Sequence, residues 1–231
     1  KIVDLPGWLC RSSGRATGLA HPTMLAGLAL YDVQQGETSD ELVEAVRQLS
    51  GSTCHLDHAA AAGQISGYWS ECGTPVPIYL GIGDHQCSLL GAGLVSADTL
   101  SINLGTGAQV SVLNLTQAPD ESEIRPYFAA SQLHTITHIP GGRALAEYIG
   151  FLREVGDPQR DFWQALAAVD AANVCQSDLD FGLGLFPSAR GFDGGGRIGS
   201  IGEGRFTLDN YLASLLRAFA GQYLDLAHLF D

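Results

Sequence analysis

Asp84 is the lone acid in the stretch PIYLGIGDHQCSLLGAG, residues 77–93. The run before it is extended through Ile78 and Leu80 and stops at Gly81 and Gly83, and the run after it, HQCSLLGAGL, has helical character. A strand, a tight turn and a helix start are how α/β folds present functional side chains. Two roles for Asp84 stand side by side. As a helix N-cap it would satisfy first-turn amides, worth about 1 kcal/mol. As a general base it would take a hydroxyl proton, a contribution of roughly a hundred- to ten-thousand-fold in rate. Local pattern favours the cap, and Gly81 and Gly83 shift some weight to the second role, because a missing side chain on either side lets a ligand come near the carboxylate. The roles need not compete, since the amide end of a helix attracts negative charge. His85 adjoins Asp84 and could face the same ligand.

A second group of residues could hold phosphate. Gly105, Thr106 and Gly107 form a GTG tip between two β-leaning runs in TLSINLGTGAQVSVLNL. Glycines let backbone N–H groups approach phosphate oxygens, and a threonine hydroxyl adds a donor; the same three residues also make an ordinary hairpin tip. The PGG at 140–142 leads into a helix and reads either as a source of N-terminal amides for an anion or as a plain turn. The seven histidines lack metal-ligand spacing. His134 and His138 alternate on one strand face and His55 and His58 fall in a loop-like region, so these four read as satisfied histidines, and no metal site is expected. Ser111 and Ser200 lack the strand–elbow–helix context of a hydrolase nucleophile.

These residues need elements to hold them. Residues 1–10 read as the end of a helix, and GLALYDVQQG, 27–36, as a short strand closing in a turn. Ser39 is placed to cap the helix DELVEAVRQL, whose early acids and late Arg47 suit the helix dipole. LHTITHI reads as a strand that runs through PGG into an amphipathic helix over about 143–155. The glycine-dense residues 181–204 read as a long loop or hairpin set. Thr207 caps a last helix with Leu208, Leu212, Leu215, Leu216, Phe219, Tyr223 and Leu226 at helical spacing. A domain boundary is expected near 95–99.

Composition bounds the function. With 45% apolar and 16% charged residues, 231 residues can build a well-buried core. Twelve basic residues against 25 acidic ones give a net charge of −13 with no basic cluster, which argues against a nucleic-acid footprint. An anionic substrate would have to be met by backbone amides, a metal ion or a few local arginines. Five scattered cysteines without a CxxC pair fit reduced thiols in the cytoplasm, and no apolar run is long enough for a membrane span.

The ordered succession of these segments resembles carbohydrate kinases of the FGGY type, within the actin-like ATPase superfamily. DLPGWLCRSSGRATGLAHPTMLAGLALYDVQQGETSDELVEAV resembles part of that family's first domain, GIGDHQCSLLGAGL its GxGDQQAALLGxG segment, and LSINLGTGAQVSVL the hairpin that opens its second domain. FPSARG, GSI and FTLDNYLASLLRAFAGQYLDL resemble its later ARG and helical region, and EIRPYF followed by PGGRAL is most similar to the sedoheptulokinase-type branch. The resemblance implies a two-domain actin-like ATPase (ribonuclease H-like) α/β fold, partial at both ends. Residues 1–95 would be the C-terminal part of the sugar-binding domain, and 96–231 the N-terminal part of the nucleotide-binding domain. The first phosphate loop and the adenine-binding segment of the family have no counterpart in these residues, so a central fragment is expected.

By the same resemblance Asp84 is the catalytic base, His85 stands where the family often has a sugar-contacting Gln, and Gly105, Thr106 and Gly107 approach the nucleotide phosphates. The implied reaction is transfer of the γ-phosphate of ATP, with Mg²⁺, to a hydroxyl of a ketose or polyol, sedoheptulose among the candidates. The expected partners are a small sugar and ATP, with no nucleic acid and no membrane; a homodimer is one open oligomeric state. Two rival readings are a non-catalytic sugar- or nucleotide-binding module and an actin-like ATPase. Retention of both the acid and the GTG tip weighs against the first, and the acid beside His85 against the second.

Overall fold

Side chains that can be named set the helix ends. The structure, a computed structural model, describes residues 5–12, 16–51, 57–69, 73–157 and 159–230. Cys54, His55, Cys72 and the first four residues of the expected N-terminal helix lie outside them. The chain divides into two compact units. The first comprises Lys1–Thr99, Leu113–Thr116 and Ile124–His134; the second comprises Leu100–Val112, Gln117–Glu123 and Thr135–Asp231.

In the first unit, α1 (Leu5–Ser12) leads to β1 (Leu19–Ala20), α2 (Pro22–Gly27), β2 (Tyr31–Asp32), β3 (Glu37–Thr38) and α3 (Asp40–Ser50). Ser39 caps α3 by accepting from the Leu42 amide at 3.3 Å, and Gly51 closes it at φ 64°, a left-handed conformation that suits glycine. The strand expected over 27–36 is corrected: 22–27 is helical, Ala29 turns the chain at φ 56°, and only Tyr31 and Asp32 are extended, pairing with Thr38 and Glu37. His58 is corrected too, because it sits in β4 (His58–Ala59), paired in parallel with β1. Next come β5 (Ile65–Trp69) and β6 (Val76–Tyr79), an antiparallel pair, and α4 (Asp84–Gly91). The core here is Leu89, Leu94, Leu113, Tyr127 and Leu133, and the Tyr127 hydroxyl donates to the Leu94 carbonyl at 2.9 Å.

The strands β7 (Ser101–Leu104), β8 (Gly107–Leu113), β9 (Glu123–Pro126) and β10 (Gln132–Pro140) form one sheet in the order β7-β8-β10-β9. Then follow α5 (Gly142–Val155), α6 (Phe162–Ala167), α7 (Ala171–Gln176), the antiparallel pair β11 (Asp180–Gly182) and β12 (Arg197–Gly199), and α8 (Leu208–His228). The glycine-dense segment is therefore a hairpin with a long connection, and Thr207 caps α8 through the Asn210 amide at 3.3 Å. Leu212 and Leu215 of α8 are buried against Tyr148, Ile149 and Leu152 of α5 and Phe162 and Leu166 of α6; each such leucine contributes about 1.5–3 kcal/mol by leaving water. Tyr148, Phe181 and Tyr211 stack edge to face, and burial pushes the Tyr211 hydroxyl up to about 12.

Cys10, Cys87 and Cys175 are not joined in disulfides among the described residues. No helix among the described residues is long and apolar enough to cross a membrane.

Candidate functional site

The sequence-derived site residues fall into two groups, one in each unit. In the first unit, β6 ends at Tyr79 and α4 begins at Asp84. The expectation that Asp84 is the N-cap is corrected. Gly83 holds the cap position (φ −59°, ψ 134°), and Asp84 is the first helical residue, its carboxylate accepting from the His85 amide at 2.7 Å. It remains in the first turn, where the helix dipole favours negative charge. Asp84 is exposed and His85 half-buried, whereas Gln86 is buried and donates from Nε2 to the Pro126 carbonyl at 3.3 Å. Gln86 and Leu89 therefore anchor α4 on one side and leave Asp84 on the open one.

The glycines before Asp84 have a packing reason of their own. A Cβ on Gly81 would strike the Pro6 ring of α1, and one on Gly83 would strike the Gln86 side chain and come within 3.6 Å of the Thr23 Cβ. The Gly83 amide donates to the Thr23 hydroxyl at 3.0 Å. That hydroxyl lies 2.9 Å from His21 Nδ1, which also accepts from the Thr23 amide at 3.3 Å. With Oγ accepting from Gly83, the Thr23 proton goes to Nδ1, so the neutral His21 ring carries its own proton on Nε2. Burial lowers the His21 pKa below its ordinary value, which favours that neutral form. Thr23 and His21 thus position the Asp84 turn, and the sequence reading missed both. The signal was the proline of HPT, which suits the first position of a helix.

In the second unit β7 and β8 pair from Ser101↔Ser111 to Leu104↔Ala108, leaving Gly105, Thr106 and Gly107 as an exposed tip. The PGG segment docks on this tip. The amides of Gly142 and Arg143 donate to the carbonyls of Gly105 (2.8 Å) and Thr106 (3.0 Å). A Cβ on Gly141 would sit 2.8 Å from the Gly105 carbonyl oxygen and 2.9 Å from the Gly107 carbonyl carbon, so backbone meets backbone and only glycine fits. Those two α5 amides are occupied internally, which makes PGG a docking turn. The consequence for GTG follows from peptide geometry. No cis bond occurs among the described residues, so the N–H groups of Thr106 and Gly107 point opposite to the carbonyls held by α5. Both amides therefore face away from the helix.

The histidines depart from expectation. His134 is buried at 2% exposure with neither ring nitrogen hydrogen-bonded, and burial lowers its pKa. His138 is exposed at φ 58°, which breaks the alternation assumed for β10, and its carbonyl accepts from the Arg190 amide at 2.7 Å. Among the described residues no three His, Cys, Asp or Glu side chains are grouped to hold a metal ion.

Solved structures share this architecture. A xylulose kinase from Rhodospirillum rubrum matches at a TM-score of 0.73 and 17% identity over 92% of this chain and 44% of its own. A glycerol kinase from Plasmodium falciparum with ADP matches at 0.65 and 14% identity over 91% and 43%. A gluconate kinase from Lactobacillus acidophilus matches at 0.61 and 17% identity over 88% and 43%. The chain has the actin-like ATPase fold of these kinases and spans less than half of their length. No family model and no curated protein sequence matches it.

Proposed function

We propose that this chain is part of an ATP-dependent carbohydrate kinase of the FGGY type that phosphorylates a hydroxyl of a ketose or polyol, with sedoheptulose as the first candidate. The observation that carries the reading is Asp84, an exposed carboxylate opening α4 on a glycine turn held by Thr23, in a chain with the fold of sugar and glycerol kinases. In this reading residues 1–95 belong to the sugar-binding domain and residues 96–231 to the nucleotide-binding domain.

Asp84 accepts the proton of the sugar hydroxyl as its oxygen bonds to the γ-phosphorus; the bond from that phosphorus to the β–γ bridging oxygen breaks, and ADP leaves. His85, beside the base, contacts the sugar. The Thr106 and Gly107 amides and the Thr106 hydroxyl offset charge on the transferring phosphate, with Gly105 giving the backbone room. Mg²⁺ would arrive on the phosphates of ATP, which with water supply most of its ligands. Both substrates are small molecules, consistent with a cytoplasmic enzyme.

The test is Asp84→Asn in the full-length protein, followed by ADP release with sedoheptulose, xylulose, ribulose, glycerol and gluconate. Turnover should fall at least about a hundredfold with ATP affinity retained. Near-normal turnover in the variant would overturn the assignment, and nucleotide hydrolysis indifferent to every sugar would favour an actin-like ATPase.

A further inference from the structure

Five of the eleven arginines of this acidic chain are engaged by carboxylates or backbone carbonyls within it. Arg11 pairs with Asp57, Arg47 with Glu44, Arg190 with Glu121 and Arg205 with Asp178, while Arg217 donates to the carbonyls of Ser177 and Leu179. Arg143 differs. Its guanidinium lies 3.6 Å from the centre of the Phe186 ring, and no carboxylate pairs with it among the described residues. Its backbone amide is the one that holds the Thr106 carbonyl, so the charge is tied to the GTG tip through a single residue. Arg143, Phe186, Ser188 and Thr106 line one cleft of about 160 Å³.

A guanidinium stacked face-on against an aromatic ring keeps its N–H donors in the plane of the stack, aimed outward at its edges. Stacking also removes much of the rotamer freedom that an arginine otherwise loses on binding. An unpaired, pre-oriented fork beside backbone amides and a threonine hydroxyl is suited to a phosphate group, which arginine engages through two parallel hydrogen bonds. We propose that Arg143, held by Phe186, binds a phosphate of the nucleotide polyphosphate and is a specificity residue for triphosphate over nucleoside. This rests on the kinase reading for the identity of the ligand and on the cleft alone for its chemistry.

The test is calorimetric binding of ATP, adenosine and inorganic tripolyphosphate to the full chain, wild type and Arg143→Gln, Arg143→Lys and Phe186→Leu. The expected result is a loss of about 10- to 100-fold in ATP and tripolyphosphate affinity for Arg143→Gln. Arg143→Lys should recover part of it, because the charge returns without the fork, and Phe186→Leu should lose about 2- to 5-fold by loosening the stack. Adenosine binding should not move. Thermal unfolding of each variant close to wild type ensures that the losses are local. Wild-type ATP affinity in Arg143→Gln overturns the proposal and leaves the kinase reading standing. Binding of tripolyphosphate through Arg143 by a full-length protein that phosphorylates no sugar overturns the kinase reading and leaves the anion site standing. Binding of neither phosphate ligand by wild type overturns both.

Discussion

Replacing Thr23 with valine should release the turn that carries Asp84. Valine keeps the volume and β-branching of threonine and removes only the hydroxyl, which accepts from the Gly83 amide at 3.0 Å and faces His21 Nδ1 at 2.9 Å. Thr23 is 7% exposed, so the abandoned Gly83 N–H has a methyl group where its acceptor was. Leaving such a donor unsatisfied costs about 1–3 kcal/mol. His21 loses one donor and keeps the Thr23 amide, so most of the cost falls on the Gly83 side. The direct assay is amide hydrogen exchange at Gly83, where losing about 1–3 kcal/mol of local protection speeds exchange about 5- to 150-fold. Thr23→Ser, which keeps the hydroxyl, should exchange close to wild type. If the protein is the kinase proposed above, turnover in Thr23→Val should fall while ATP affinity holds, because the perturbed residue lies one position before the base. Unchanged exchange at Gly83 in Thr23→Val, with the serine variant behaving identically, would refute the positioning role.

Gly141→Ala should destabilise the second unit by about 1–3 kcal/mol, because its Cβ would meet backbone at 2.8–3.1 Å; Gly221→Ala, in the open interior of α8, should stabilise it by about 0.5–1 kcal/mol. Urea unfolding of the two variants reads both signs, and equal effects would sink the docking account of PGG. The pKa of buried His134 is lowered in the folded chain, so the unfolded chain binds the proton first; stability present above about pH 6.5 is lost as pH falls below it, by at most about 1.4 kcal/mol per pH unit. His21 acts in the same direction, so His134→Leu should make the loss between pH 7 and pH 5 shallower without abolishing it, and an unchanged pH slope would refute the assignment.

The elements read correctly from sequence are those whose ends are fixed by local side chains. Ser39 and Thr207 cap α3 and α8 through bonds to residues three positions on, and Gly51 terminates α3 in a conformation few other residues adopt cheaply. The apolar spacing of α8 and the run of β10 into α5 survive because each has a clear burial pattern. What failed was short or non-local. The α2 helix has only six residues, capped by a histidine that ranks low among cap formers, and its worth lies in one hydroxyl reaching a turn far along the chain. Asp84 is the first helical residue and not the cap because Gly83 takes the cap position, its amide held by the Thr23 hydroxyl from far along the chain. The tight Phe128–Ser131 turn, with Ala129 and Ala130 at φ 52° and 60°, carries none of the Asn or Gly that marks such turns, and so gives no sequence signal.

GTG and PGG were each weak as motifs, and what joins them cannot be seen in either. The contact is made by carbonyls and amides that every residue possesses; the side chains contribute only by being absent at Gly141 and Gly142. The docking gives the tip a definite orientation, since both of its carbonyls are held and the trans peptide then aims the two following amides. Such donors need no reorganisation when charge develops against them, which is the form of electrostatic stabilisation that contributes most to catalysis. In a chain of net charge −13 this also bears on how a polyanion could be bound at all. Four of its arginines are matched to carboxylates and a fifth to carbonyls, so attraction cannot come from a general positive field. In the proposed site it comes from neutral amides oriented by the fold and from Arg143, stacked on a ring beside them.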